Sequence, residues 1–444
     1  MTRAPGKGGT DEPRTNEPRV DEARALDAAD ALRDFRSRFH IPAGRTRPDS
    51  LYLCGNSLGL QPTGVQRLMQ EELEAWARFG VRGHHEGTRP WLPYHEQLAS
   101  DTALLVGARP HEVVNMNTLT VNLHLMMVSF YRPTPERPCI LIEEGAFPSD
   151  RYAVASQIAY HGLRADAALI ELAPRRGEDC IRDEDLESLL AREGRRIALV
   201  MLAGVQYRTG QAFDLQRIVQ LARAQGCNVG FDLAHAAGNL ELALHDWAPD
   251  FAVWCSYKYL NSGPGAIAGC FVHERHARSA DLPRFAGWWG HNKQKRFLMG
   301  PDFEVLEGAE GWQLSNPPIF SLAPLIASFA LFREAGMQRL REKSVRLTGY
   351  LESLIDARLA GRVSVISPRD PQARGAQLSL RLAAGVASGR AVFEELARRD
   401  VVCDWREPDV IRVAPVPLYN TFEDVWDFVT VLEEILEGAC APRR

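Results

Sequence analysis

Residues 228–265 read NVGFDLAHAAGNLELALHDWAPDFAVWCSYKYLNSGPG, and the architecture is worked out from them. The apolar run NVGF predicts a buried strand, which puts Asp232 at its carboxyl end and His235 about one turn further on. DFAVWCS predicts the next strand and delivers Tyr257 and Lys258 to the same edge before the turn formers NSGPG. Working outward, similar short runs separated by helical stretches recur as CILIEE, AALIELA, IALVMLAG and AIAGCFV. Strands buried on both faces and alternating with helices predict an α/β fold with a mostly parallel sheet. Ligands of such sheets gather at the carboxyl ends of the strands, the edge where Asp232, Tyr257 and Lys258 lie.

An acid and a lysine at neighbouring strand ends have one specific chemical use. A pyridoxal 5'-phosphate enzyme needs a lysine to hold its cofactor as a Schiff base, and a carboxylate to keep the pyridine nitrogen protonated so that the ring draws electrons. Taken alone, an Asp after a strand is more often a turn residue and a Lys is more often a solvated surface charge. The joint pattern DLAH followed by SYKYLNSGPG is what carries the reading, and it resembles fold-type I pyridoxal phosphate enzymes, in the branch of class V aminotransferases and cysteine desulfurases.

The chain of 444 residues is too long for one ordinary core and predicts a large domain plus a smaller one. Residues 1–20 are polar and rich in Gly, Pro and Thr, and predict a disordered tail with no signal-peptide core. A helix is expected over Glu22–Phe39 and another over Thr63–Phe79, capped by Thr63. The large domain is expected over 21–325. A helical stretch from about Ile326 to Leu359 then opens a smaller α+β domain, 326–444, whose strands are VSVIS, QLSLRL and VIRVAPVPL. A net charge of -5 with interspersed signs argues against nucleic acid and anionic membrane as partners, leaving a small molecule. Eight cysteines without a CxxC pair argue against structural zinc and suit a reducing, cytoplasmic setting.

Outside the central stretch the strings YLCGNSLGLQP, GHHEGTRPW, MNTLTVNLHLMMVSFYRPTPERP, EEGAFPSDRYAVASQ, GWWGH, SNPPIFSLAPL and IRVAPVPLYN resemble those of kynureninases. They occur in family order from about residue 50 to 420. The resemblance implies a fold-type I, aspartate aminotransferase-like enzyme that hydrolyses L-kynurenine or 3-hydroxykynurenine to anthranilate or 3-hydroxyanthranilate plus L-alanine.

By motif, the resemblance implies that Lys258 carries the cofactor and Asp232 pairs with its ring nitrogen. Leu119 and Thr120 match a phosphate-contacting segment, at the start of an expected helix whose amides suit an anion. Phe147 matches a ring that stacks on the cofactor and Asp150 a polar contact near it. His235 and Tyr257 match cofactor contacts, Tyr257 also being a candidate proton donor. Trp288 and Asn316 match positions supplied by a neighbouring subunit, which implies a homodimer with shared sites. Arg412 matches the receptor of the substrate's α-carboxylate, a task suited to a guanidinium. Ser57, His84 and Asn316 complete the implied substrate contacts, and His84 with Asn316 leans the choice towards the 3-hydroxylated compound. One departure is Ala203, where the family often has serine. It implies one lost phosphate hydrogen bond, at a cost of about 1 to 3 kcal/mol in cofactor affinity. The alternative enzyme reading is a cysteine desulfurase or aminotransferase on the same fold, since fold and lysine do not fix the reaction.

Overall fold

The computed structural model describes residues 20–440 apart from residue 280, so the expected tail lies outside the described residues except for Val20. Seven strands form the main sheet: β1 (Val113–Asn115), β2 (Cys139–Glu143), β3 (Leu169–Leu172), β4 (Ile197–Ala203), β5 (Asn228–Asp232), β6 (Phe251–Cys255) and β7 (Ala268–Val272). Their order across the sheet is β1-β7-β6-β5-β4-β2-β3. The pairs from β6 through β3 are parallel, while β7 runs antiparallel to both β6 and β1. Asp232 and Glu143 therefore end parallel strands on one edge, and Lys258 follows β6 onto that edge.

Alternation along the central strands feeds two cores. Val200 and Leu202 of β4 join one apolar cluster, and Leu199 and Met201 join another on the opposite face. Two strand glycines make this packing possible. A Cβ on Gly230 would lie 2.0 Å from the Phe251 ring, and one on Gly269 would lie 2.1 Å from Trp254. Each glycine pairs in register with that aromatic residue across the sheet, so the bare backbone is what leaves room for the ring.

Seven of the helices shape the cores and the site: α1 (Val20–Ala28), α2 (Gly64–Phe79), α3 (Leu119–Phe130), α4 (Pro148–Tyr160), α5 (Ile319–Ala335), α6 (Met337–Arg358) and α7 (Phe422–Cys440). The helix expected over Glu22–Phe39 stops at Ala28. Asp30 then turns the chain by accepting the Leu32 N–H, and it pairs with buried Lys343 at 2.7 Å. Thr63 precedes α2 as expected but makes no side-chain cap. The single helix expected from about Ile326 is two helices bent by 81° around Gly336, whose φ of 75° ends α5.

The smaller sheet holds β8 (Val363–Val365), β9 (Leu378–Leu382), β10 (Asp404–Arg406) and β11 (Val410–Val413), in the antiparallel order β8-β9-β11-β10. Strand β10 was not expected from the sequence. The core over this sheet takes in α6 from Leu347 onward together with α7, whereas α5 and Leu340 belong to the main core. Ala23, Leu51 and Leu53, expected with the large domain, also pack into the smaller core.

Candidate active site

A pocket of about 520 Å³, its open mouth included, lies at the carboxyl edge of the main sheet. Leu119, Thr120, Phe147, Asp150, Asp232, His235, Tyr257 and Lys258 all line it, so eight residues singled out in the sequence converge on one cavity. Glu143, Ser149, Ala203, Val205, Tyr207 and Ala234 complete the wall.

Each side chain is delivered by the end of an element. Leu119 and Thr120 open α3, while Phe147, Ser149 and Asp150 surround the start of α4. Thr120 Oγ1 and Ser149 Oγ lie 2.8 Å apart, so two helix N-termini and two hydroxyl groups face one spot, the combination that attracts a phosphate. Asp232 ends β5, and its Oδ1 accepts the Ala234 N–H at 2.7 Å, which fixes the carboxylate. Lys258 Nζ lies 3.0 Å from His235 Nε2 and 5.8 Å from the centre of the Phe147 ring.

The electrostatics follow from burial. His235 is pushed well below its ordinary pKa by burial first, then by the charges of Lys258, Arg412 and Arg406. The neutral ring turns its Nε2 towards Lys258 Nζ. Burial, reinforced by Asp232 and Glu143, raises the Asp150 carboxyl well above the usual range. Glu143 is pushed up to about 7, again mainly by burial. The Tyr257 hydroxyl is raised by burial and stays protonated across the neutral range.

Pyridoxal phosphate fits these residues. His235 Nδ1 and Asp150 Oδ1 are buried without a hydrogen-bond partner among the described residues, and both belong to pocket-lining side chains. Unmet polar groups beside a lysine, a strand-end carboxylate, an aromatic ring and a paired helix-terminus anion site are the complement of that molecule. Lys258 would carry it, Asp232 would meet its ring nitrogen, Phe147 would cover its face, and Thr120 with Ser149 would hold its phosphate.

Arg412 comes from the smaller domain and stands against Tyr207 of the pocket wall, its guanidinium 5.9 Å from the centre of that ring. It is 1% exposed, and its Nη1 donates to the Tyr207 carbonyl at 2.7 Å. Its Nη2 donates to Ser57 Oγ at 3.1 Å, so two of the expected substrate contacts are already joined. Gln377 Nε2 also donates to the Tyr207 carbonyl, so this loop locks the two domains together beside the site.

Five expected residues do not line the pocket within one chain, Ser57 and Arg412 among them, and the other three lie elsewhere. His84 bonds the Val81 carbonyl and stands edge-on to Trp91, Trp288 is 41% exposed, and Asn316 is exposed. Ala203 requires a correction. It pairs with Asp232 in register, and its N–H points to Glu143 Oε2 at 3.4 Å. A phosphate does not sit among carboxylates, so the phosphate hydrogen bond expected to be lost at Ala203 does not belong there. Glu143 was legible in principle, because it ends CILIE as Asp232 ends NVGFD. Tyr207 had no local signal.

Comparison with known proteins gives the family context. A family model described as "Kynureninase C-terminal domain" matches residues 340–432. A kynureninase from Myxococcus xanthus is 61% identical over 411 residues, 93% of this chain and 96% of the relative. Among solved structures, a cysteine desulfurase from Thermococcus onnurineus superposes with a TM-score of 0.72 at 18% identity, covering 88% of this chain and 95% of the other. A C-DES variant with glycine covalently linked to its PLP cofactor has the same TM-score at 16% identity, covering 87% and 96%. At such identities the structural likeness establishes the fold.

Proposed function

The chain belongs to the kynureninase family, and from that premise we infer that the pocket around Lys258 hydrolyses a carbon–carbon bond of L-kynurenine or its 3-hydroxy derivative. The products are anthranilate or 3-hydroxyanthranilate and L-alanine. One observation supports the reading: eight of the residues expected at the cofactor, drawn from separate stretches of sequence, line a single cavity. The desulfurase alternative has only the shared fold behind it.

When bound, pyridoxal phosphate supplies an electron sink for negative charge developing on the substrate. The chain's own residues do the rest. Arg412, steadied by the Ser57 hydroxyl against its Nη2, holds the α-carboxylate, which fixes the α-carbon relative to Lys258. The Lys258 amine, beside neutral His235, takes up and returns the α-proton. Asp232 keeps a counter-charge at the ring-nitrogen end. Tyr257, whose proton is held tightly, is the donor that completes the alanine product.

Trp288, Asn316 and His84 act in this reading on the pocket of a second copy. An exposed apolar patch on the segment that carries Trp288 supports it: Phe285, Phe297, Leu298, Met299 and Phe303 are all exposed. His84 and Asn316 are the polar groups we assign to the 3-hydroxyl of the preferred substrate. Cys54, Cys139, Cys180, Cys227, Cys255, Cys270 and Cys403 are free thiols, which agrees with a cytoplasmic enzyme of tryptophan breakdown or of a biosynthetic branch.

The test is absorbance and product fluorescence after adding L-kynurenine and, in parallel, 3-hydroxykynurenine. Lys258→Ala is expected to abolish the cofactor's absorbance band and to lower kcat by at least about 10³-fold. A protein that keeps its band yet turns over neither compound would sink the reading.

A further inference from the structure

The arginine assigned to the substrate's carboxylate already has an acid against it. Asp404 and Arg412 are directly opposite across β10 and β11, and the Asp404 Oδ2 atom accepts from both Arg412 Nη2 and Ser57 Oγ. By itself this pairing would cancel the positive charge that a substrate carboxylate needs. Arg406 resolves the conflict, because its Nη1 lies 2.7 Å from the other oxygen, Asp404 Oδ1. Two guanidinium groups share one carboxylate, so the cluster keeps a net positive charge. Arg412 also retains capacity for a ligand: its Nε is buried with no hydrogen-bond partner among the described residues. The three side chains are not equally wrapped, with Arg412 and Asp404 1% and 9% exposed but Arg406 34% exposed.

We propose that Asp404 is a positioning residue that orients Arg412, directly and through the Ser57 hydroxyl, for the substrate's α-carboxylate, and that Arg406 keeps the cluster cationic enough to bind it. This rests on the reading of Arg412 as the carboxylate receptor. Asp404 does not line the pocket and acts through the two groups that it grips. A buried guanidinium without a fixed acceptor would swing and lose the aligned pair of N–H donors. Arg406 works through charge, since with it removed Asp404 neutralises Arg412.

The experiment measures KM and kcat for L-kynurenine, and the inhibition constant of the product L-alanine, on the holoenzyme and four variants. Asp404→Ala is expected to raise KM and the alanine constant by about tenfold or more while kcat stays within about threefold and the cofactor band is unchanged. Arg406→Gln is expected to raise both constants by about tenfold. Adding Asp404→Asn to Arg406→Gln, which keeps an acceptor oxygen but removes its charge, is expected to bring them back to within about threefold of the original. A merely structural role would lower thermal stability in all of these without that charge rescue. If Asp404→Ala does not fold, the Arg406 single and double variants decide. A double variant no better than Arg406→Gln, or a folded Asp404→Ala with unchanged KM, overturns the proposal. Arg412→Gln is the reference: if it leaves both constants unchanged, the carboxylate reading itself fails, and the proposal falls with it.

Discussion

Glu143, Asp150 and Asp232 bring three carboxyl groups to one pocket whose lining holds a single lysine. They cannot all ionise cheaply out of water, and the raised values of Glu143 and Asp150 express that cost. For Glu143 the value of about 7 in the folded protein lies above its ordinary 4.5, so the folded state binds more protons than the unfolded one between those limits. Stability from this group is therefore fully present below pH 4.5 and is lost as pH rises through 7. The corresponding ceiling is about 3 kcal/mol. Urea unfolding of the protein stripped of cofactor, at pH 5 and pH 7.5, should show a falling midpoint, and Glu143→Gln should lose much of that fall. An equal fall in the variant would mean that Glu143 does not hold the proton. Among single residues, Lys258 and Asp232 were legible because the ends of apolar runs mark them. Asp404 was not, since only its position opposite Arg412 gives it meaning.

The segment before α2 passes close against the Lys258 loop. Gly59 donates its N–H to the Tyr257 carbonyl, and a Cβ there would lie 2.3 Å from the Lys258 carbonyl oxygen and from Asn261 Oδ1. Because one obstacle is backbone, Gly59→Ala must displace the loop that carries the lysine. We expect a loss of about 1 to 3 kcal/mol, seen as about tenfold or greater weakening of cofactor retention in equilibrium dialysis. Unchanged retention would show that the loop adjusts freely. The strands of the main sheet were legible for a related reason: buried on both faces, they leave continuous apolar runs. Helix limits were less so. The break at Gly336 depends on α5 packing in the main core while most of α6 packs in the smaller one, and the end of α1 depends on the pairing of Asp30 with Lys343.

At the scale of the whole molecule, the proposed sharing of sites between two copies makes a direct prediction. A chain carrying Lys258→Ala and one carrying Asn316→Ala should each be nearly inactive alone. Unfolded together and refolded as a mixture, they should recover about a quarter of the original activity, because half of the dimers then hold one intact site of two. No recovery, with dimers verified by sedimentation, would mean that Asn316 serves its own chain. The sequence by itself determined the α/β class, the parallel core strands, the lysine and acid at their ends, and through its long motifs the family. These are local properties, carried by side-chain period and by which residue follows a strand. Only the tertiary structure decided that Glu143 shares the acidic floor, that Ala203 lies among carboxylates, and that Asp404 sits between Arg406 and Arg412. Those facts depend on strand order, cross-strand register and the docking of one domain on the other. Contacts between residues far apart in the chain are set by how the cores pack, and neither spacing nor composition encodes them.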